Sequence, residues 1–435
     1  MRNSIKESYS VRTNMTESIL KDLFFILYLC LPFLNLIFQK ITSYFGNMQM
    51  GKYIAIAIAY SPLILLFLFY LAKGKGIKAF IPDFWILLLC ISMFFGITYL
   101  MHPEYKYWYE RDVFGVMPYV LRPDNGLFIY LAIRLVNDPD RIQKDVRISG
   151  WIMFVFFARQ LLQALLRGYW PDTSNTGSEI KMSYSLSFGY DVLLFALMFL
   201  FAALNDHKKT DIAAACISIA MILLGGSRGP ILDIGIFVVL YVYSRIMDSP
   251  KKYKIITLIV IGGSILMMTY KRILLFAAVT LDKMGISSRF ITMMVEGDDS
   301  NDNGRDEIWN TAIGMIRQKP LGWGAMGTRH VIGNIIFVGH PHQVFLELLV
   351  DFGVIFGSAL ILLLIIGSAR IILNKDLGKW HGIYIVFFAR ACQLLMSLTF
   401  WHSIGLWSLL AIGVCISNAK SERWKNKWLK VGLRM

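Results

Sequence analysis

The chain has 435 residues, of which 56% are hydrophobic and 17% charged, and a formal net charge of +15. With a mean hydropathy of +0.55, this composition excludes an ordinary soluble domain, in which about a quarter of residues are charged. It excludes a nucleic-acid partner as well: the basic residues form no single patch but are dealt out between apolar segments, the pattern that sets membrane topology.

Met1 to Glu17 is a polar tail with no short apolar core and no small-residue cleavage site, so the first apolar segment is predicted to stay as an anchor. Apolar stretches of about 20 residues predict spans at 20–38, 53–72, 84–100, 113–136, 148–167, 187–204, 210–225, 230–245, 254–270, 345–368, 382–399 and 403–418. The fourth is interrupted by Arg122-Pro-Asp-Asn-Gly126. The predicted fold class is all-α. It is a polytopic integral membrane protein of about 12 transmembrane helices, a single membrane domain over 1–435. A large helical outer loop, 271–344, is inserted between the ninth and tenth spans. An even number of spans leaves both termini on one side, whose loops and tails carry 25 Lys and Arg against 6 in the short loops opposite. That imbalance predicts cytoplasmic termini. No internal repeat of the kind that marks many transporters is visible. The five cysteines (Cys30, Cys90, Cys216, Cys392, Cys415) all fall in apolar segments without a CxxC spacing, so neither a disulfide framework nor a zinc site is expected.

On this topology the turn Gly225-Gly-Ser-Arg228-Gly-Pro230 and the 271–344 loop share the outer face. A lone arginine at a helix end often only snorkels to the interface. Here, however, the positive-inside bias disfavours arginine, and Pro230 offers a helix start whose free N–H groups favour anions. In the loop, Arg305-Asp-Glu-Ile308-Trp-Asn-Thr-Ala312-Ile-Gly-Met315-Ile316 has apolar residues at helical spacing and acids in its first turn. It predicts a short amphipathic helix lying against the membrane face. Asp299-x-Asn301-x-Asn303-Gly304 imitates half of a calcium loop, but Asn310 stands where the twelfth-position glutamate is needed, so it reads as a turn and cap. Gly322-Trp-Gly324-Ala-Met-Gly327 matches GxGxxG without the preceding strand a dinucleotide site needs, so its glycines serve a close backbone approach or a folded loop.

His340-Pro-His342-Gln343 stands at the mouth of the tenth span. Histidine is the usual proton acceptor near neutral pH. A histidine also caps helix ends, and a metal pair is disfavoured because no third ligand is evident. Arg289, Arg329, His340 and Gln343 are candidate substrate-binding residues of the same outer stretch.

Four features in this order resemble the O-antigen ligase and polysaccharide polymerase superfamily. They are Ser-Arg-Gly at 227–229, Gly-Arg-x-x-Ile-Trp at 304–309, Pro-Leu-Gly-x-Gly at 320–324, and His-Gln at 342–343 followed by nine residues and Gly353. Phe356 and Gln343 depart from the commoner residues at their positions. The pattern is shared by ligases and by polymerases of O-antigen, capsule or exopolysaccharide. The resemblance implies a bacterial inner-membrane glycosyltransferase that moves a glycan from undecaprenyl diphosphate to a saccharide hydroxyl, of lipid A core or a growing glycan, on the outer face. It implies no metal and no other cofactor, membrane lipid as the surroundings, and no nucleic acid. His342 would then take the acceptor proton, Arg228 and Arg305 would neutralise the diphosphate, and direct displacement would invert the anomeric centre. A flippase or exporter of lipid-linked oligosaccharides is the alternative. It would draw on charges within the spans, for which Arg122, Arg134, Arg159, Asp191, Asp233 and Arg390 are candidates.

Overall fold

The computed structural model describes residues 2–74, 81–111, 115–173, 179–182, 185–246, scattered positions between 252 and 283, 304–335 and 339–432. Arg289, the turn at 298–303 and most of the expected span at 254–270 lie outside the described residues. The described chain is almost entirely helical; its one sheet is an antiparallel hairpin of Trp170–Thr173 and Glu179–Met182, with Trp170 opposite Met182.

Among the described residues six helices are long and apolar enough to cross a bilayer: Met48–Ala72, Pro82–Met101, Pro139–Arg167, Ser187–Asp206, Gly229–Ile246 and Val344–Ile372. Met15–Leu29 and Leu31–Ser43, bent by 69°, form a further candidate. Pro32 follows the bend and supplies no N–H to a continuous helix. Other expected spans appear as shorter helices: Gly126–Val136, Lys209–Gly225, Lys379–Ala391 and the apolar part of Ile404–Gly432. The interruption at 122–126 is real. Helix resumes only at Gly126, and the Tyr60 and Tyr28 hydroxyls donate to the carbonyls of Pro123 and Asn125.

The chain divides into two compact units. The first comprises Met1–Ser149, Ile308–Gly367 and Ser397–Met435. Two of its arginines are paired: the Arg134 guanidinium donates to both oxygens of Asp83 at 2.7 and 3.2 Å, and Arg122 bonds Asp124. Such forked pairing is what makes arginine tolerable away from water.

The second unit comprises Gly150–Glu307 and Ser368–Met396. Its centre is Leu186–Asp206, whose residues 192–199 are buried on every side against Lys209–Gly225, Gly229–Ile246 and Lys379–Ala391. A helix apolar all round is a core helix.

Candidate active site

In the first unit the two histidines sit on an irregular strand of chain that three neighbours hold. Gly339 has φ +68°, and a Cβ there would stand 3.1 Å from Arg329 Cα, so only glycine permits this approach. His340 is 2% exposed. Its ring centroid lies 4.2 Å from that of His342, whose backbone is left-handed at φ +53°. Such a φ in a non-glycine residue carries strain that its surroundings must offset. Between them, the Pro341 carbonyl accepts a hydrogen bond of 3.0 Å from the Trp309 indole. Gln343 then caps the helix: its side-chain oxygen accepts from Leu346 N at 2.6 Å and its carbonyl from Glu347 N at 3.0 Å. The Gly-Arg-x-x-Ile-Trp motif thus has a local meaning, since its tryptophan fixes the segment between the histidines.

The helix beginning at Val344 is broken at Gly353, at φ +78° and ψ 173°. The break frees carbonyls that Pro-Leu-Gly-x-Gly takes up. Val350 and Asp351 oxygens accept from Trp323 N at 2.8 Å and Gly324 N at 3.0 Å, and Val354 N donates to Pro320 O at 2.7 Å. Gly322 and Gly353 meet back to back. A Cβ on Gly322 would lie 2.7 Å from Gly353 N, and one on Gly353 would lie 2.4 Å from the Leu321 carbonyl carbon. Of the two roles considered for these glycines, the structure displays loop folding.

The same loop is held from a third side. Ala325 N donates to Thr98 Oγ1 at 3.2 Å, Tyr109 to Ala325 O at 3.2 Å and Tyr105 to Trp323 O at 3.3 Å. Burial, with the charges of Glu104 and Asp351, pushes the Tyr105 phenol up to about 12, which keeps it a neutral donor. The amphipathic helix Arg305–Gln318 is present, and its apolar stripe packs on protein: Ile308, Ala312 and Met315 lie against Ile332 and Val350. The loop thus shares a small core with the start of the Val344–Ile372 helix.

Two acids behind His342 were not singled out from sequence. Glu347, 2% exposed, accepts from the Thr399 hydroxyl and from Phe400 N at 3.2 Å. Asp351, one turn on, accepts from the Trp401 indole at 3.2 Å. Arg329 is 3% exposed and faces both carboxylates. Phe95, Val120, Met326, Thr328, Arg329, Glu347 and Trp401 enclose a cavity of about 10 Å³, close to the least that holds one water.

The second unit holds the other two expected residues. Arg228 is exposed in the turn between Lys209–Gly225 and Gly229–Ile246, where Gly226, at φ +77°, ends the first helix. Its carbonyl accepts from Ile231 N and Leu232 N at 3.2 and 3.3 Å, so the next helix starts on it. Arg305 is half-buried at the start of its own helix and lies within electrostatic reach of Tyr190. Among the described residues no group of three or more His, Cys, Asp or Glu is placed to hold a metal ion.

These features define a class: a polytopic helical membrane protein with a histidine fixed at the mouth of one apolar helix and arginines at the starts of others. Residues 213–364 match the family model of O-antigen ligase, and this match supports the likeness to the O-antigen ligase and polymerase superfamily. No curated protein and no solved structure matches the chain.

Proposed function

We propose that this protein is a glycosyltransferase of the bacterial inner membrane that transfers a glycan from undecaprenyl diphosphate to a saccharide hydroxyl on the outer face. It would act either as an O-antigen ligase or as a repeat-unit polymerase. The observation that carries this reading is the rigid His340-Pro-His342-Gln343 segment at a helix start, inside the region that matches the ligase family. His342 accepts the proton of the acceptor hydroxyl as that oxygen forms a bond to the anomeric carbon. The bond from that carbon to the diphosphate oxygen breaks, and undecaprenyl diphosphate leaves with the electron pair. Attack from the opposite face inverts the centre. Arg228 and Arg305 neutralise the departing charge, with greater effect where water is scarce. Arg289, Arg329, His340 and Gln343 are proposed contacts to the sugars or diphosphate, Gln343 through its amide NH2, because its oxygen serves the helix cap. Both termini are cytoplasmic in this reading, and no metal takes part.

The test is a transfer assay with purified protein, lipid-linked glycan and acceptor. His342→Ala should release no undecaprenyl diphosphate while accumulating normally in the membrane. Wild-type transfer by His342→Ala with loss in His340→Ala would move the role to the other ring, and full activity in both would end the general-base assignment.

Asp191, Asp233 and Arg390, the two acids within electrostatic reach of the arginine in the second unit, favour the exporter reading instead. Movement of a lipid-linked oligosaccharide across proteoliposomes without any transfer would support it.

A further inference from the structure

The second unit contains a buried arginine and a buried aspartate to which the proposed chemistry assigns nothing. Arg390, 6% exposed, donates to Gln393 and lies within electrostatic reach of Asp233 and of Asp191. Asp233 is fully buried, and neither of its carboxylate oxygens has a hydrogen-bond partner among the described residues. A charge kept inside a span at such cost needs a reason.

Geometry supplies one. The Arg390 guanidinium carbon lies 5.8 Å from the centroid of the Tyr190 ring. The Tyr190 hydroxyl in turn presses on Gly229, where a Cβ would stand 1.8 Å from it. Asp233 lies four residues after Gly229, on the same helix face. The turn is closed from its other side too: a Cβ on Gly189 would meet Pro230 at 3.0 Å and Ser227 at 3.3 Å. Tyr190 is therefore the wedge between the buried cation and the backbone that presents Arg228, and Arg305 reaches the same tyrosine electrostatically.

We propose that Arg390 is a positioning residue for the donor diphosphate: through Tyr190 and Asp233 it fixes the 227–230 turn, and thereby Arg228, without touching substrate. This rests on the reading of Arg228 as a diphosphate contact.

The experiment uses the full chain in lipid nanodiscs, with steady-state transfer measured against undecaprenyl-diphosphate-linked glycan. Arg228→Ala, Arg390→Gln, Tyr190→Phe and the double variant Arg228→Ala/Arg390→Gln are compared. Arg390→Gln and Tyr190→Phe should each lower kcat/KM for the donor about tenfold, as misplacing the group that neutralises the departing charge would, and Arg390→Lys should recover part of the loss. The double variant should be no worse than Arg228→Ala, because a residue acting only through Arg228 has nothing further to lose. Additive losses in the double variant, or a wild-type kcat/KM in both Arg390→Gln and Tyr190→Phe, would overturn the positioning role alone. A wild-type kcat/KM for the donor in Arg228→Ala would overturn the diphosphate reading and the inference with it. If Arg390→Gln fails to accumulate, Tyr190→Phe and its own double variant with Arg228→Ala carry the same comparison.

Discussion

Trp309 holds the segment between the histidines through one indole hydrogen bond to Pro341 O, so Trp309→Phe keeps most of the packing and deletes the donor. A hydrogen bond of this kind contributes about 1 kcal/mol net. If it is felt in the transition state, kcat should fall roughly fivefold with donor KM unchanged, which steady-state transfer kinetics would read. An unchanged kcat would show that the left-handed His342 needs no such support. The helix start after His342 was legible because a polar residue before an apolar run is a local pattern, whereas the cap made by Gln343, read from sequence only as a substrate contact, came from the structure. Glu347 was not legible: its acceptor role depends on Thr399 and Phe400, 52 and 53 residues away, and no local spacing announces a partner at that distance.

At the level of elements, the break at Gly353 explains why Pro-Leu-Gly-x-Gly and the glycine after the histidine motif occur together. Each supplies backbone groups that the other satisfies. Gly353→Ala would bring both a disfavoured positive φ and a collision with Leu321, so it should cost about 3 kcal/mol or more. Gly367→Ala is the opposite case. That position is helical with nothing within 4 Å of its Cβ, so alanine should stabilise by up to about 1 kcal/mol. Thermal unfolding in one detergent compares the two, and equal midpoints would contradict the account. Sequence marked these glycines as special but left open whether substrate or loop approached them. The pairing of 320–324 with 350–354 is a tertiary fact. The amphipathic helix was legible in period and extent, whereas what covers its stripe was not, since protein and lipid select the same residues.

For the molecule as a whole, apolar runs located the long helices closely, from Met48–Ala72 to Val344–Ile372. The interruption at 122–126 was visible in its polar residues, but other short spans were overstated, because hydropathy does not register a break such as the turn of 3-10 helix at Cys392–Leu395. Orientation is the expectation on which the proposed chemistry stands. In a background lacking native cysteines, including the exposed Cys90 and Cys216, Gln318→Cys should react with an impermeant thiol reagent in spheroplasts. Lys208→Cys should react only after lysis; both positions are exposed. The reverse pattern would place His342 in the cytoplasm. The anchorage of 320–325 has one more consequence. A segment whose amides are shared among Val350, Asp351 and Thr98 cannot swing as a hinged lid without opening those bonds. Its amide protons should therefore exchange as slowly as those of the helix it grips, and access for two large glycans must be opened by some other part of the chain.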